Sequence, residues 1–107
     1  MEFYDQLEAR DPKEREEALF SALPDQISQA KNNASGWADI LSGFSPADIT
    51  SRKDLAELPV TRKSELTKRQ TDYPPLGNLL GTKIDELSWV FCSPGPIFEP
   101  GHRGSDF

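Results

Sequence analysis

Apolar residues in the first 70 positions recur at three- and four-residue steps, in short runs cut by polar residues and breakers. Leu19, Phe20, Leu23, Ile27 and Ala30 trace one helical face. Asp11-Pro12-Lys13-Glu14 stands ahead of it, with a carboxylate at N-cap, proline at the first helical position and an acid at N3. Pro24 interrupts the run, because proline lacks the N–H that the helix needs and its ring crowds the preceding turn. The pattern therefore predicts two consecutive helices, over residues 12–22 and 24–33. Trp37, Ile40, Leu41 and Phe44 give another short face. Ser45-Pro46-Ala47-Asp48 and Ser51-Arg52-Lys53-Asp54 each set a hydroxyl three residues before an acid, a helix start signal. Pro59 ends the second of these, and Thr61 can cap a last helix over 62–70.

After Gln70 the pattern changes. Tyr73-Pro74-Pro75-Leu76-Gly77 is loop sequence, and Leu79, Leu80 and Ile84 are isolated apolar anchors. Leu87-Ser88-Trp89-Val90-Phe91-Cys92 is the one good strand candidate, aromatic and β-branched between breakers. A strand needs a partner for its backbone groups, and no upstream segment offers one, so the chain has the look of an incomplete fold. The strand empties into Ser93-Pro94-Gly95-Pro96-Ile97-Phe98-Glu99-Pro100, a Ser/Pro/Gly loop of the sort in which nucleotide enzymes hold phosphate. Two parts result: a helical subdomain over 1–70, and a loop, strand and Ser/Pro/Gly loop over 71–107. No internal repeat or low-complexity stretch appears.

Composition narrows the class. The chain of 107 residues is 36% apolar, so its own core is thin. Its net charge of −6 argues against a general binder of nucleic acid or anionic membrane. The single cysteine, Cys92, excludes an internal disulfide framework and fits a reducing compartment. Met1 is followed by Glu2 and Asp5 with no basic and apolar leader, and no run is long enough to span a bilayer, so the cytoplasm is the default expectation.

Four stretches carry a resemblance to a known family: Tyr4–Pro12, Leu23-Pro24-Asp25-Gln26-Ile27, Leu58–Leu66 (Leu-Pro-Val-Thr-Arg-Lys-Ser-Glu-Leu) and Ser93–Pro100. In this order and spacing the chain resembles the N-terminal region of the phenylacetate–CoA ligase family, within the adenylate-forming enzymes. The resemblance implies a mainly α N-terminal subdomain leading into the first strand of an α/β fold, and covers about a quarter of such a ligase. It also implies a reaction in which a carboxylic acid attacks the α-phosphate of ATP, and coenzyme A then displaces AMP to give a thioester. Magnesium would accompany the ATP, and a small carboxylic acid would be the substrate.

The family's phosphate loop reads Ser/Thr-Ser-Gly-Thr-Thr-Gly-Lys-Pro, where glycines admit the phosphate, hydroxyls donate and lysine offsets charge. On this sequence Ser93, Gly95 and Pro100 keep their types, while Pro94, Pro96, Ile97, Phe98 and Glu99 replace the rest. Ser93 and Gly95 are therefore the candidate phosphate contacts. The competing reading is a Pro-Gly turn that needs glycine for its backbone alone. Glu99 is expected as a solvated loop acid, His102 as a lone histidine without a role, and Cys92 as buried filler. Arg62, Lys63, Lys68 and Arg69 form the one basic patch; it could meet coenzyme A phosphates, but spacing with Glu65 suits ordinary helix-surface pairing. No catalytic residue and no metal ligand set is identified. The 107-residue chain is expected to be inactive and to self-associate through apolar faces made for a missing domain. A non-catalytic helical interaction module, or a pseudo-enzyme of the same ancestry, is the alternative.

Overall fold

The computed structural model describes residues 2–102. Helix α1 spans Pro12–Asn33, α2 Ser35–Ile40, α3 Arg52–Ala56 and α4 Lys63–Asp72. Single 3-10 turns cover Pro46–Asp48 and Ile84–Glu86, and strands β1, Leu87–Ser93, and β2, Ile97–His102, close the described chain.

The predicted start of α1 is as the sequence implies: Asp11 accepts from the Lys13 amide at 2.9 Å, with Pro12 in the first turn. The predicted break at Pro24 does not occur, and one helix of 22 residues runs through it. Packing outweighs the lost hydrogen bond. Ile27 joins Leu41 and Ile49 in the core, and Leu23, on the turn that contains Pro24, packs against the same cluster. Trp37, Ile40, Phe44 and Leu58 surround it. No side chain among the described residues is fully buried, which is the thin core that a 36% apolar chain can make.

Short connections hold the helices around that core. Lys31 donates to the Phe44 carbonyl at 2.6 Å and ties the end of α1 to the turn after α2. Ser51 caps α3: it accepts from the Asp54 amide at 3.2 Å, and its hydroxyl donates to the Asp54 carboxylate at 2.6 Å. Helix α4 begins at Lys63 rather than Arg62, because Glu65 reaches back to accept from the Arg62 amide at 3.1 Å.

The loop from Tyr73 to Leu79 returns to the start of α2. The Gly36 amide donates to the Asn78 carbonyl at 2.8 Å. A Cβ on Gly36 would lie 2.7 Å from that carbonyl, so only glycine permits the approach. Leu76 is buried beneath this loop.

The sheet corrects a larger expectation. The strand at Leu87–Ser93 does have a partner, and it lies downstream: β2 pairs with it antiparallel, with Ser93 opposite Ile97, Phe91 opposite Glu99 and Trp89 opposite Gly101. The stretch expected as a loop from Ser93 to Pro100 is thus a turn at Pro94-Gly95-Pro96 followed by a strand. Antiparallel pairs alternate between hydrogen-bonded and non-bonded positions. Pro100 has no N–H to give, so its pair with Val90 is a non-bonded one, and Phe98 opposite Cys92 is the next. The polar groups of Phe98 therefore face away from β1, and proline is tolerated two residues on for the same reason. The register shifts between Leu87 and Trp89. The Trp89 indole lies across Gly101, where any Cβ would collide with it.

Cys92, expected as buried filler, is exposed. It shares one face of β1 with Val90, which is also exposed, and Phe91 on the opposite face is exposed too.

Candidate functional site

Helix α4 and the hairpin enclose a groove of about 410 Å³, with Lys63, Leu66 and Gln70 on the helix side and Ser93, Ile97 and Glu99 on the hairpin side. Of the two candidate phosphate contacts, Ser93 lines this groove, and Gly95 lies in the turn next to Lys63. Ser93 is half-buried at the end of β1, and its hydroxyl donates to the Ile97 carbonyl across the turn at 3.4 Å. Gly95 has φ of +149°, a conformation that a side chain rarely adopts. A Cβ at that glycine would stand 3.2 Å from Cε of Lys63. The bare turn therefore gives room to the lysine stem beside Gly95, and Lys63 and Ser93 line the same groove.

The sequence points to Ser93 and Gly95 as candidates but not to the lysine beside Gly95. Lys63 belongs to α4, 32 positions before Gly95, so only the folded chain brings them together. Gln70 was missed as well. Its Nε2 donates to the Phe98 carbonyl at 2.9 Å, and its Oε1 accepts from the Phe98 amide at 2.9 Å. One amide side chain thus satisfies both outward groups of Phe98 and fixes β2 against α4. Donors at the turn itself are few. Pro94 and Pro96 have no N–H, and the Ser93 hydroxyl has its partner within the hairpin.

The basic patch does not act as one surface. Lys68 pairs with Asp72 one turn on, and that hydrogen bond raises the lysine above its ordinary pKa. Arg69 donates to the Gly77 carbonyl at 3.4 Å and packs where a Cβ on Gly77 would be. Glu65 serves the α4 cap. Lys63 alone turns to the hairpin. Glu99 is exposed and lines the groove. His102 is half-buried at the end of β2. Among the described residues, no three of His, Cys, Asp and Glu gather as a metal site. The arrangement can offer a phosphate one ammonium and a glycine backbone, with the Ser93 hydroxyl engaged by Ile97; it holds no acid–base pair and no activated nucleophile. Among the described residues, no helix is long and apolar enough to cross a membrane.

This arrangement of helices and hairpin is the fold of part of an adenylate-forming CoA ligase. Among the solved structures that share it are several of 2-hydroxyisobutyryl-CoA ligase. In the postadenylation state with 2-HIB-AMP, that enzyme is 25% identical over 86% of this chain and 20% of its own, with a TM-score of 0.78. With R3-HIB-AMP the values are 24%, 92% and 21%, and 0.83. With 2-HIB-AMP and CoA in the thioesterification state they are 24%, 92% and 22%, and 0.80. The chain therefore spans about a fifth of the length of the ligases it matches. No protein-family model matches the chain, and no curated protein does.

Proposed function

We propose that this chain is the N-terminal part of an ATP-dependent, AMP-forming acyl- or aryl-CoA ligase. The carrying observation is the structural match to ligases that hold an acyl-AMP and CoA, over 92% of the chain at a TM-score of 0.83 in one of them. The motif resemblance to phenylacetate–CoA ligases points to the same superfamily independently.

In this reaction a carboxylate oxygen attacks the α-phosphorus of ATP and pyrophosphate leaves. The sulfur of coenzyme A then attacks the acyl carbon and AMP leaves. Magnesium would neutralise the triphosphate. Among the described residues no three of His, Cys, Asp and Glu gather as a metal site, and the chain spans about a fifth of the ligases it matches, so this reading assigns the magnesium and adenine contacts to the rest of such a ligase. This chain contributes at most a phosphate contact at Ser93 and Gly95, with Lys63 supplying the positive charge that the turn lacks. The 107 residues alone are inactive, since stabilising the adenylation transition state needs several groups around one phosphorus. The acid is a small carboxylate, aryl or acyl, and the enzyme works in the cytoplasm.

The test is carboxylate-dependent exchange of labelled pyrophosphate into ATP by protein from the full reading frame, with the 107-residue chain as the inert control. Exchange with at least one acid of an aryl and acyl panel supports the ligase. Absence of exchange together with absence of ATP binding sinks it.

Two observations favour a second reading, a non-catalytic helical module: the Ser93 hydroxyl bonds within its own turn, and Glu99 brings negative charge to the groove. Glu99→Lys separates the two. It tightens ATP binding in a ligase and changes nothing in a module.

A further inference from the structure

A hairpin of two strands is marginal in water and gains stability from a third. The hairpin here has two outer edges, and they are treated differently. On β2 the outward amide and carbonyl of Phe98 are both taken by Gln70, Pro100 has no outward N–H to offer, and Glu99 adds a charge. These are the devices by which a sheet edge refuses a further strand.

The β1 edge has none of them. Leu-Ser-Trp-Val-Phe-Cys-Ser contains no charge and no proline, in a chain whose net charge is −6. The register that turns the polar groups of Phe98 outward on β2 turns those of Val90 and Cys92 outward on β1. Both residues are exposed, and among the described residues the sheet ends at β1.

We propose that the outer edge of β1 is a self-pairing surface, on which a second copy of this chain adds its own β1 antiparallel about a two-fold axis. An uncharged strand is the part of an acidic chain that two copies can bring together without repulsion, and an antiparallel strand pair is self-complementary. With the axis at Phe91, Val90 of one copy and Cys92 of the other exchange backbone hydrogen bonds in both directions. Phe91 then meets its own counterpart at a non-bonded position, where side chains approach most closely. Four strands form one sheet with both outer edges guarded by Gln70. The pairing rests on the edge chemistry of this hairpin and does not depend on the enzymatic reading.

Sedimentation velocity of the 107-residue chain, under reducing conditions from micromolar to millimolar, tests this together with amide exchange at Val90 and Cys92. The expected result is a concentration-dependent dimer in which those two amides become protected in step with dimerisation. Val90→Lys puts a charge on the edge, and Cys92→Pro deletes one outward N–H without touching the hairpin's own bonds. Each weakens the dimer by about tenfold or more. Retained protection of the Phe98 amide, which bonds to Gln70, reports that the hairpin of each variant is intact. A monomer at every concentration overturns the proposal, and so does a dimer that both variants leave unchanged or in which Val90 and Cys92 exchange freely.

Discussion

Gln70 and Phe98 are 28 positions apart and bond to each other twice, side-chain amide to backbone amide. The side chain imitates a neighbouring strand at one residue of β2. It is a polar tie between α4 and the hairpin, on the wall of the groove that Lys63 also lines.

Gln70→Ala removes both bonds and leaves the outward groups of Phe98 to water. A loss of about 1–3 kcal/mol in unfolding free energy is expected from two hydrogen bonds. Urea denaturation measures it, and faster exchange of the Phe98 amide locates it. Gln70→Glu keeps the acceptor and loses the donor, so it should fall between.

Gly36 and Gly77 are close approaches of different kinds. Alanine at Gly36 would meet the Asn78 carbonyl at 2.7 Å; at Gly77, where φ is +69°, it would meet Cγ of Arg69 at 2.7 Å and also strain the backbone. Each substitution is expected to cost about 1–3 kcal/mol. Thermal melts should rank Gly77→Ala as the worse, since it adds strain to collision. Equal melts for the two variants and the parent would show that the 73–79 loop does not hold the helices.

Ile49 lies outside any helix yet is among the most buried residues, at 3% exposure. Ile49→Ala opens the Ile27–Leu41–Ile49 cluster at its centre and should cost about 2–5 kcal/mol. In a chain with so small a core, that loss lowers the melting midpoint far more than Val60→Ala, whose parent residue is 78% exposed.

Asp54 titrates below the usual aspartate value, first through the Ser51 hydroxyl and then through the Thr50 amide. A carboxyl lowered by folding stabilises the fold above its unfolded value, and this contribution fades as pH falls through the folded value, below about pH 4. Ser51→Ala should move the Asp54 titration back towards the ordinary range, as read by carboxyl NMR, and should flatten that acid slope. It should also loosen α3, because it deletes the N-cap. A titration unmoved by the substitution would mean that Ser51 is not the partner.

The local start signals were legible because each is written in adjacent residues: Asp11 before Pro12, Ser51 three before Asp54. The break expected at Pro24 was not realised, since the apolar face from Leu23 to Ile27 is packed on both sides of it by residues that a local pattern does not reveal. Strand β2 was hidden by its own edge chemistry. Pro100 and Gly101 look like breakers in sequence, but one sits where no hydrogen bond is required and the other lies under Trp89. Cys92 is expected inside because it ends a mainly apolar strand and has no basic group near it in sequence, whereas in the fold that end of β1 is exposed. At the candidate site, Ser93 and Gly95 could be read from a motif. Lys63 and Gln70 could not, because chain distance conceals contacts that the return of the hairpin onto α4 creates.

Helix α1 is a beam clamped near its far end. Leu23 and Ile27 are seated in the core, while the turns before Leu23 rest on Phe20 and on an exposed pair between Glu16 and Arg52. Pro24 removes a rung from the hydrogen-bond ladder at the junction of the two. The first three turns can therefore unravel while the clamped end stays folded. Proteases that need an unwound substrate should nick the chain ahead of Pro24 first, and leave the rest of α1 whole.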